Sequence, residues 1–171
     1  MSVVVIIGPS GAGKSTIARI LQEKYGFRLQ KTVTTRPQRD EYDTDHIFVN
    51  EETFQTMSAS KAFFGTMPTF EFNYGLPKFD PSERTLLLLR APVVEEFKTR
   101  FPDAHIYEVD APLEVLEQRL IARSTFDRIN PEVLEKEISW GRTLAKQSFN
   151  SSLHSAEQIA QAIADDVANS I

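Results

Sequence analysis

The chain has 171 residues, 41% hydrophobic and 25% charged, with a formal net charge of −5 at pH 7; this is an ordinary globular composition, enough for one well-buried core and too short for two full domains. Zero cysteines exclude disulfides, thiolate metal sites and cysteine nucleophiles. No apolar run approaches a membrane span, the N-terminus has neither a basic n-region nor a small-residue cleavage site, and no run of like charge offers a broad footprint for nucleic acid, so a cytoplasmic protein without membrane or nucleic-acid partners is expected.

Val3 to Ile7 is a β-branched run with no polar break, which predicts a central parallel strand buried on both faces. Gly8-Pro9-Ser10-Gly11-Ala12-Gly13-Lys14-Ser15-Thr16 follows it and satisfies the phosphate-binding pattern G-x-x-x-x-G-K-[ST] in a strand-to-helix context. Gly8, Gly11 and Gly13 permit positive φ and let backbone N–H groups approach oxygen anions, with Ser10 and Ala12 in the same cradle. The next helix adds the partial positive charge of its N-terminus, and Lys14 adds a full charge for the outer phosphates. The Ser15 hydroxyl is placed to meet Mg²⁺. Thr16 either joins this site or simply begins the helix.

Ile17, Ala18, Ile20 and Leu21 recur at helical spacing, with Gly26 as a stop. Residues 32–83 change character. Pro37, Pro68, Pro77 and Pro81 break the periodicity, aromatic and charged residues interleave, and only short strand-like pieces such as 46–49 appear, which predicts an irregular inserted lobe. Residues 85–89 and 106–109 read as further buried strands. Apolar spacing predicts helices over 92–101, 113–123, 131–146 and 155–169, the third opened by Asn130 as N-cap and Pro131 in the first turn. Strands alternating with helices imply an α/β fold of three layers, its parallel sheet covered on both sides.

Thr32-Val33-Thr34-Thr35-Arg36-Pro37-Gln38-Arg39-Asp40-Glu41, continuing through Asp45-His46-Ile47-Phe48-Val49 to Glu52 and Phe54, resembles the acceptor-binding region of guanylate kinases. With the phosphate loop and Asn73-Tyr74-Gly75, the resemblance spans about the first half of the chain. It implies a P-loop kinase core (about 1–31, 84–122 and 141–171), an acceptor-binding lobe (about 32–83) and a short lid (about 123–140), with ATP and Mg²⁺ on the donor side. Arg36 and Arg39 would then clamp the phosphate of a small phosphorylated acceptor, and Tyr74 would hydrogen-bond to it. Two guanidinium forks beside a proline-stiffened turn suit bidentate binding of phosphate oxygens on physical grounds too. The complete phosphate loop argues against a non-catalytic binding module of the same family.

The chain departs from that family's pattern in several places. Phe64 and Gly65 stand where guanylate kinases carry a guanine-reading glutamate, and His46 replaces a tyrosine. Arg90 replaces the acid after the second core strand, and Glu137 occupies the place of an arginine on the helix after the lid. His46-Ile47, Tyr74-Gly75-Leu76-Pro77 and Arg90-Ala91 are similar to the branch that phosphorylates ribose 1,5-bisphosphate, an acceptor with two phosphates and no base. The expected acceptor is therefore ribose 1,5-bisphosphate, with a nucleoside monophosphate as the alternative.

Arg119 and Arg123 lie four apart on one helical face, like the helix leading into the lid of nucleoside monophosphate kinases, where arginines neutralise the transferring phosphoryl group. Arg123 is assigned that role together with Lys14 and Arg36, while Arg119 and Arg128 are secondary candidates. Phe149-Asn150-Ser151-Ser152 resembles the segment beside the adenine ring. Asp110 reads as a turn former or as an outer partner of Mg²⁺. Asp43, Asp45 and Glu71 are open candidates for an acceptor hydroxyl.

Overall fold

The β-branched opening run forms a strand, β1 (Val3–Ile7), with every residue buried, and its side chains alternate between two helical layers. Val4 and Ile6 pack with Ile17 and Leu21 of α1 (Lys14–Tyr25) and with Ile159 and Ile163 of α6 (Ala156–Asn169). Val3, Val5 and Ile7 face the opposite layer, where Val94 and Phe97 of α3 (Ala91–Arg100) cover them. The structure is a computed structural model that describes residues 2–69, 71–81 and 84–170.

The main sheet has five parallel strands in the order β2 (Arg28–Leu29), β7 (Thr85–Leu88), β1, β8 (His105–Asp110), β9 (Gln147–Asn150). β1 lies at its centre, and the chain leaves β1 at a point where its neighbours were laid down in opposite directions across the sheet. Such a switch point opens a crevice at the C-terminal strand ends. α4 (Leu113–Ala122) and α5 (Pro131–Leu144) follow β8, separated by a 3₁₀ turn at Phe126–Arg128. The Asn130 carbonyl side-chain oxygen accepts from Val133 N, so the predicted cap of α5 forms.

Residues 32–77 are more regular than their composition suggested. They form a second sheet, β4 (His46–Phe48), β3 (Thr32–Thr34), β6 (Phe72–Pro77), β5 (Phe63–Thr69), covered by α2 (Glu51–Ala59). Phe54 of α2 packs with Val33 and Phe63 in a small separate core. Pro68 and Pro77, read as breakers, lie within the β5–β6 hairpin. Pro68 is on an edge strand, and Pro77 pairs with Phe63 at the hairpin's open end. The short edge strand β9 was read only as a segment beside adenine, and four residues carry too little periodicity to announce a strand. Helix ends shift by one or two residues from the expected bounds, most at α5, which stops at Leu144 because Ala145 turns to extended backbone. Among the described residues no helix is long and apolar enough to cross a membrane.

Glycines fix two close approaches. Gly8 has φ 148, and a Cβ there would lie 2.0 Å from the Val109 carbonyl oxygen of β8. The first loop glycine is thus required by strand packing as well as by the turn. Gly141 of α5 rests against Glu108, where a Cβ would come within 2.6 Å of Glu108 Oε1.

Glu108 is wholly buried, accepts a 2.7 Å bond from Ser148 Oγ, and leaves Oε1 without a partner. Burial, with a smaller contribution from Asp110, pushes its carboxyl from the ordinary 4.5 up to about 7. The folded protein therefore holds a proton that the unfolded chain has released over this interval, and stability falls as pH rises from about 4.5 to about 7. Glu108→Gln is expected to match the wild type near pH 4 and to be more stable by about 2 kcal/mol near pH 8. Thermal melts across that range check it, and parallel curves would refute the assignment.

Candidate active site

The phosphate loop emerges from the centre of the parallel sheet and is closed by its own geometry. Gly11 and Gly13 adopt φ 85 and 98, and the backbone then enters α1 with no side-chain cap and no acid in the first turn, leaving a positive helix end. Nothing lies within 4 Å of a Cβ built on Gly13, so this glycine is required by its backbone angle and not by crowding. Lys14 Nζ bends over the loop and donates to the carbonyls of Gly8 (2.6 Å) and Pro9 (2.9 Å).

A cleft of about 170 Å³, open to solvent, lies above this loop and runs to the second sheet. Gly8, Ser10, Gly11, Gly13, Lys14, Ser15 and Thr16 line its floor, and Arg36, Arg39, His46, Tyr74, Arg90 and Arg123 line its walls. Ala12 does not reach it. Its side chain is fully buried beneath the loop, where it fills the core against α1.

Arg36 is only 5% exposed, which separates it from an ordinary surface arginine. Its Nη1 and Nη2 bond Asp43 at 2.7 and 3.1 Å, Nη1 also reaches the Pro37 carbonyl at 3.0 Å, and the guanidinium lies 5.2 Å from the centre of the Phe48 ring. Burial works against this charge, but bonds from Asp43 and Tyr74 outweigh it and raise the Arg36 pKa. Asp43 also accepts from the Arg39 backbone N–H at 3.1 Å, with the Arg39 guanidinium at 4.0 Å. Asp43 thus gathers both arginines onto one side of the cleft. It was one of four acids within six residues of sequence, and nothing in their spacing distinguished it.

His46 Nδ1 lies 2.6 Å from Thr32 Oγ1, and its ring meets Tyr74 edge-on at 5.6 Å. Burial and the Arg36 charge push His46 down to about 4, so at neutral pH it offers hydrogen bonds and no charge. Arg90 extends from the end of β7 and bonds Glu137 of α5 through Nε and Nη2. Two departures from the guanylate kinase pattern, Arg90 and Glu137, are therefore a single ion pair.

Arg123 caps the C-terminal end of α4. Arg128, from the 3₁₀ turn, lines the cleft and sits 3.4 Å from Ser10 Oγ. Arg119 points elsewhere. It bonds the Gly11 carbonyl and both the hydroxyl and the carbonyl of Ser151, bracing the phosphate loop against the turn after β9. Asp110 is held at 2.9 Å by Arg142, which ties α5 to β8. Lys14 is surrounded by these charges. Burial pushes it from 10.5 down to about 7, Glu137 raises it, and Arg90, Arg128 and Arg123 lower it further.

Among the described residues no cluster of three His, Asp or Glu is placed to hold a metal ion, and Ser15, exposed in the first turn of α1, is the one hydroxyl assigned to it. A lone hydroxyl suits Mg²⁺ held chiefly by substrate phosphates and water.

A sequence profile of the AAA domain matches residues 4–139. The guanylate kinase of Fusobacterium nucleatum is 32% identical over 130 residues, spanning 71% of this chain and 70% of that protein. The guanylate kinase of Gloeobacter violaceus is 34% identical over 151 residues, spanning 81% and 71%. Others, from Symbiobacterium thermophilum and Sphingopyxis alaskensis, are matched over 63% and 60% of their own length. The crystal structure of guanylate kinase from Anaplasma phagocytophilum superposes with a TM-score of 0.77 over 99% of this chain and 85% of that one, at 21% identity. The identity and coverage of those relatives, with the shared fold, carry one conclusion: the chain belongs to the guanylate-kinase-like P-loop kinases, a family of ATP-dependent phosphotransferases.

Proposed function

We propose that the protein transfers the γ-phosphoryl group of ATP to a phosphate oxygen of a nucleoside monophosphate, guanylate being the first candidate. The observation that carries this reading is the Asp43-pinned pair Arg36 and Arg39, which faces the phosphate loop across one cleft. Among the described residues five arginines (Arg36, Arg39, Arg90, Arg123, Arg128) and Lys14 line the cleft against two carboxylates, Asp43 and Asp45, in a chain whose net charge is −5. Such focusing suits two phosphorylated ligands bound together. The similarity to proteins named guanylate kinases favours the nucleotide acceptor.

In this reading the loop amides and Lys14 hold the donor phosphates, while Arg36, Arg39 and Tyr74 hold the acceptor phosphate in line with the γ-phosphorus. The residues 32–83 act as the acceptor-binding lobe, and the segment 123–140 as a lid whose Arg123 and Arg128 exclude water and spread charge over the transferring group. Ser15 would hold Mg²⁺, which when bound would supply charge neutralisation to the donor phosphates. A phosphate acceptor is already ionised, so no protein base is needed, and alignment with electrostatic stabilisation supplies the catalysis.

A second reading, ribose 1,5-bisphosphate as acceptor, is favoured by two observations. Gly65 lines the cleft where a base-reading glutamate would be expected, and Arg90 adds a cation on the wall formed by the end of β7. An acceptor panel with MgATP separates the two. ADP formation dependent on guanylate supports the first reading, dependence on ribose 1,5-bisphosphate the second, and turnover with neither refutes both. Lys14→Ala is expected to lose transfer by on the order of a hundredfold, and unchanged turnover would remove the proposed donor site.

Arg36→Lys keeps the charge but forfeits the two-pronged bond to Asp43, so the acceptor KM is expected to rise about tenfold with the KM for ATP unchanged. An acceptor KM unchanged from the wild type would take Arg36 out of the acceptor clamp.

The depressed Lys14 predicts proton uptake. Near pH 8 its ammonium group is mostly deprotonated, and arriving phosphates restore the charge. Calorimetry of MgATP binding in two buffers of different ionisation heat should show uptake approaching one proton near pH 8, falling towards zero near pH 6. Buffer-independent heats near pH 8 would show that Lys14 is charged before the nucleotide arrives.

A further inference from the structure

We infer that Glu137 is a positioning residue for acceptor binding: it fixes the direction of Arg90 at the cleft wall and acts as its counter-ion. The inference rests on the kinase reading above and adds to it a residue that lies outside the cleft lining. Arg90 stands at the extended N-cap position of α3 (φ −98, ψ 150), directly after a core strand, and makes no side-chain capping bond. Its guanidinium is turned towards α5, with both Nε and Nη2 donating to one oxygen, Glu137 Oε1. That arrangement fixes the plane of the fork while Arg90 still lines the cleft.

Glu137 is 8% exposed, and its second oxygen, Oε2, is buried with no partner. A buried carboxylate that leaves one oxygen unbonded is an inefficient strut, because an unmet buried acceptor costs about 1–3 kcal/mol and a well-packed apolar pair would join α3 to α5 as well. Its charge has a further effect, because the carboxylate partly neutralises Arg90 where that guanidinium lines the cleft. The same carboxylate reduces the cleft's attraction for anions in general. Glu137 thus gives up bulk anion affinity for a fixed orientation of Arg90, a trade suited to choosing a shaped acceptor over any phosphate.

This reading predicts effects of opposite sign in one variant. Glu137→Gln is nearly isosteric and removes the charge, so inorganic pyrophosphate, measured by calorimetry, should bind several-fold more tightly than to the wild type. The same variant should lose about tenfold or more in kcat/KM for the acceptor used by the wild type. Weaker pyrophosphate binding together with slower turnover would mean a scaffold role, and unchanged turnover would mean no role; either overturns the proposal. The reversed pair Arg90→Glu with Glu137→Arg keeps the bridge between β7 and α5. It should melt within a few degrees of the wild type yet remain about tenfold or more impaired with the acceptor, and full kinetic rescue would show that only the bridge matters. If the wild type phosphorylates no acceptor in the panel, the kinase reading itself fails before any variant is compared. The pyrophosphate titration still decides whether Glu137 is a counter-ion.

Discussion

The close contact between the backbone of Gly8 and the Val109 carbonyl is the constraint on which the site depends. It leaves no room for a side chain at the exit of the central strand, so the chain must turn sharply above the sheet. The turn then runs through Gly11 and Gly13 at positive φ and delivers the first amides of α1, together with Lys14, to the mouth of the crevice. Phosphate binding at this place is a consequence of strand packing. Because β1 is flanked by β7 and β8, the same crevice receives Arg90 from one neighbouring strand, and the contact at Gly8 secures the loop to the other.

A cleft this rich in cations needs internal counter-ions to remain assembled. Asp43 and Glu137 meet that need in different ways. Asp43 accepts two bonds from the Arg36 fork and one from the Arg39 backbone, so its carboxyl is held below its ordinary pKa despite partial burial. Glu137 gives one oxygen to Arg90 and leaves the other unbonded. The first is a saturated hub that shapes a pair of arginines, and the second is a partly used charge that tempers them. Arg119 shows the contrasting case of an arginine spent wholly on structure, its fork closed on Gly11 and Ser151.

The helix α5 joins the two regimes. Gly141 seats it against Glu108, Arg142 ties it to Asp110, and Glu137 holds Arg90, all within six residues. Two turns of one helix therefore link a buried carboxyl of raised pKa, a half-buried ion pair and the orientation of Arg90.

The parallel core was legible from the residues because its signals are local: a β-branched run without polar breaks, a glycine pattern at a strand end, and apolar spacing of 3.6 in the helices. Arg36, Arg39, Tyr74 and Lys14 could be singled out for the same reason, since each sits in a short motif. The second sheet was not legible. Its strands are short, its prolines lie at an edge and a hairpin end, and the pairing that joins its two halves is between distant residues, Val33 with Gly75. Nor does any pattern link Arg36 to Asp43 rather than to Asp40 or Glu41, or join Arg90 to Glu137 across 47 positions. By itself the sequence determined the strand, the phosphate loop and the class of chemistry, because backbone angles and periodicity are written in neighbouring residues. Only the tertiary structure decided which charges neutralise one another, because that depends on distances between segments the chain brings together only when it folds.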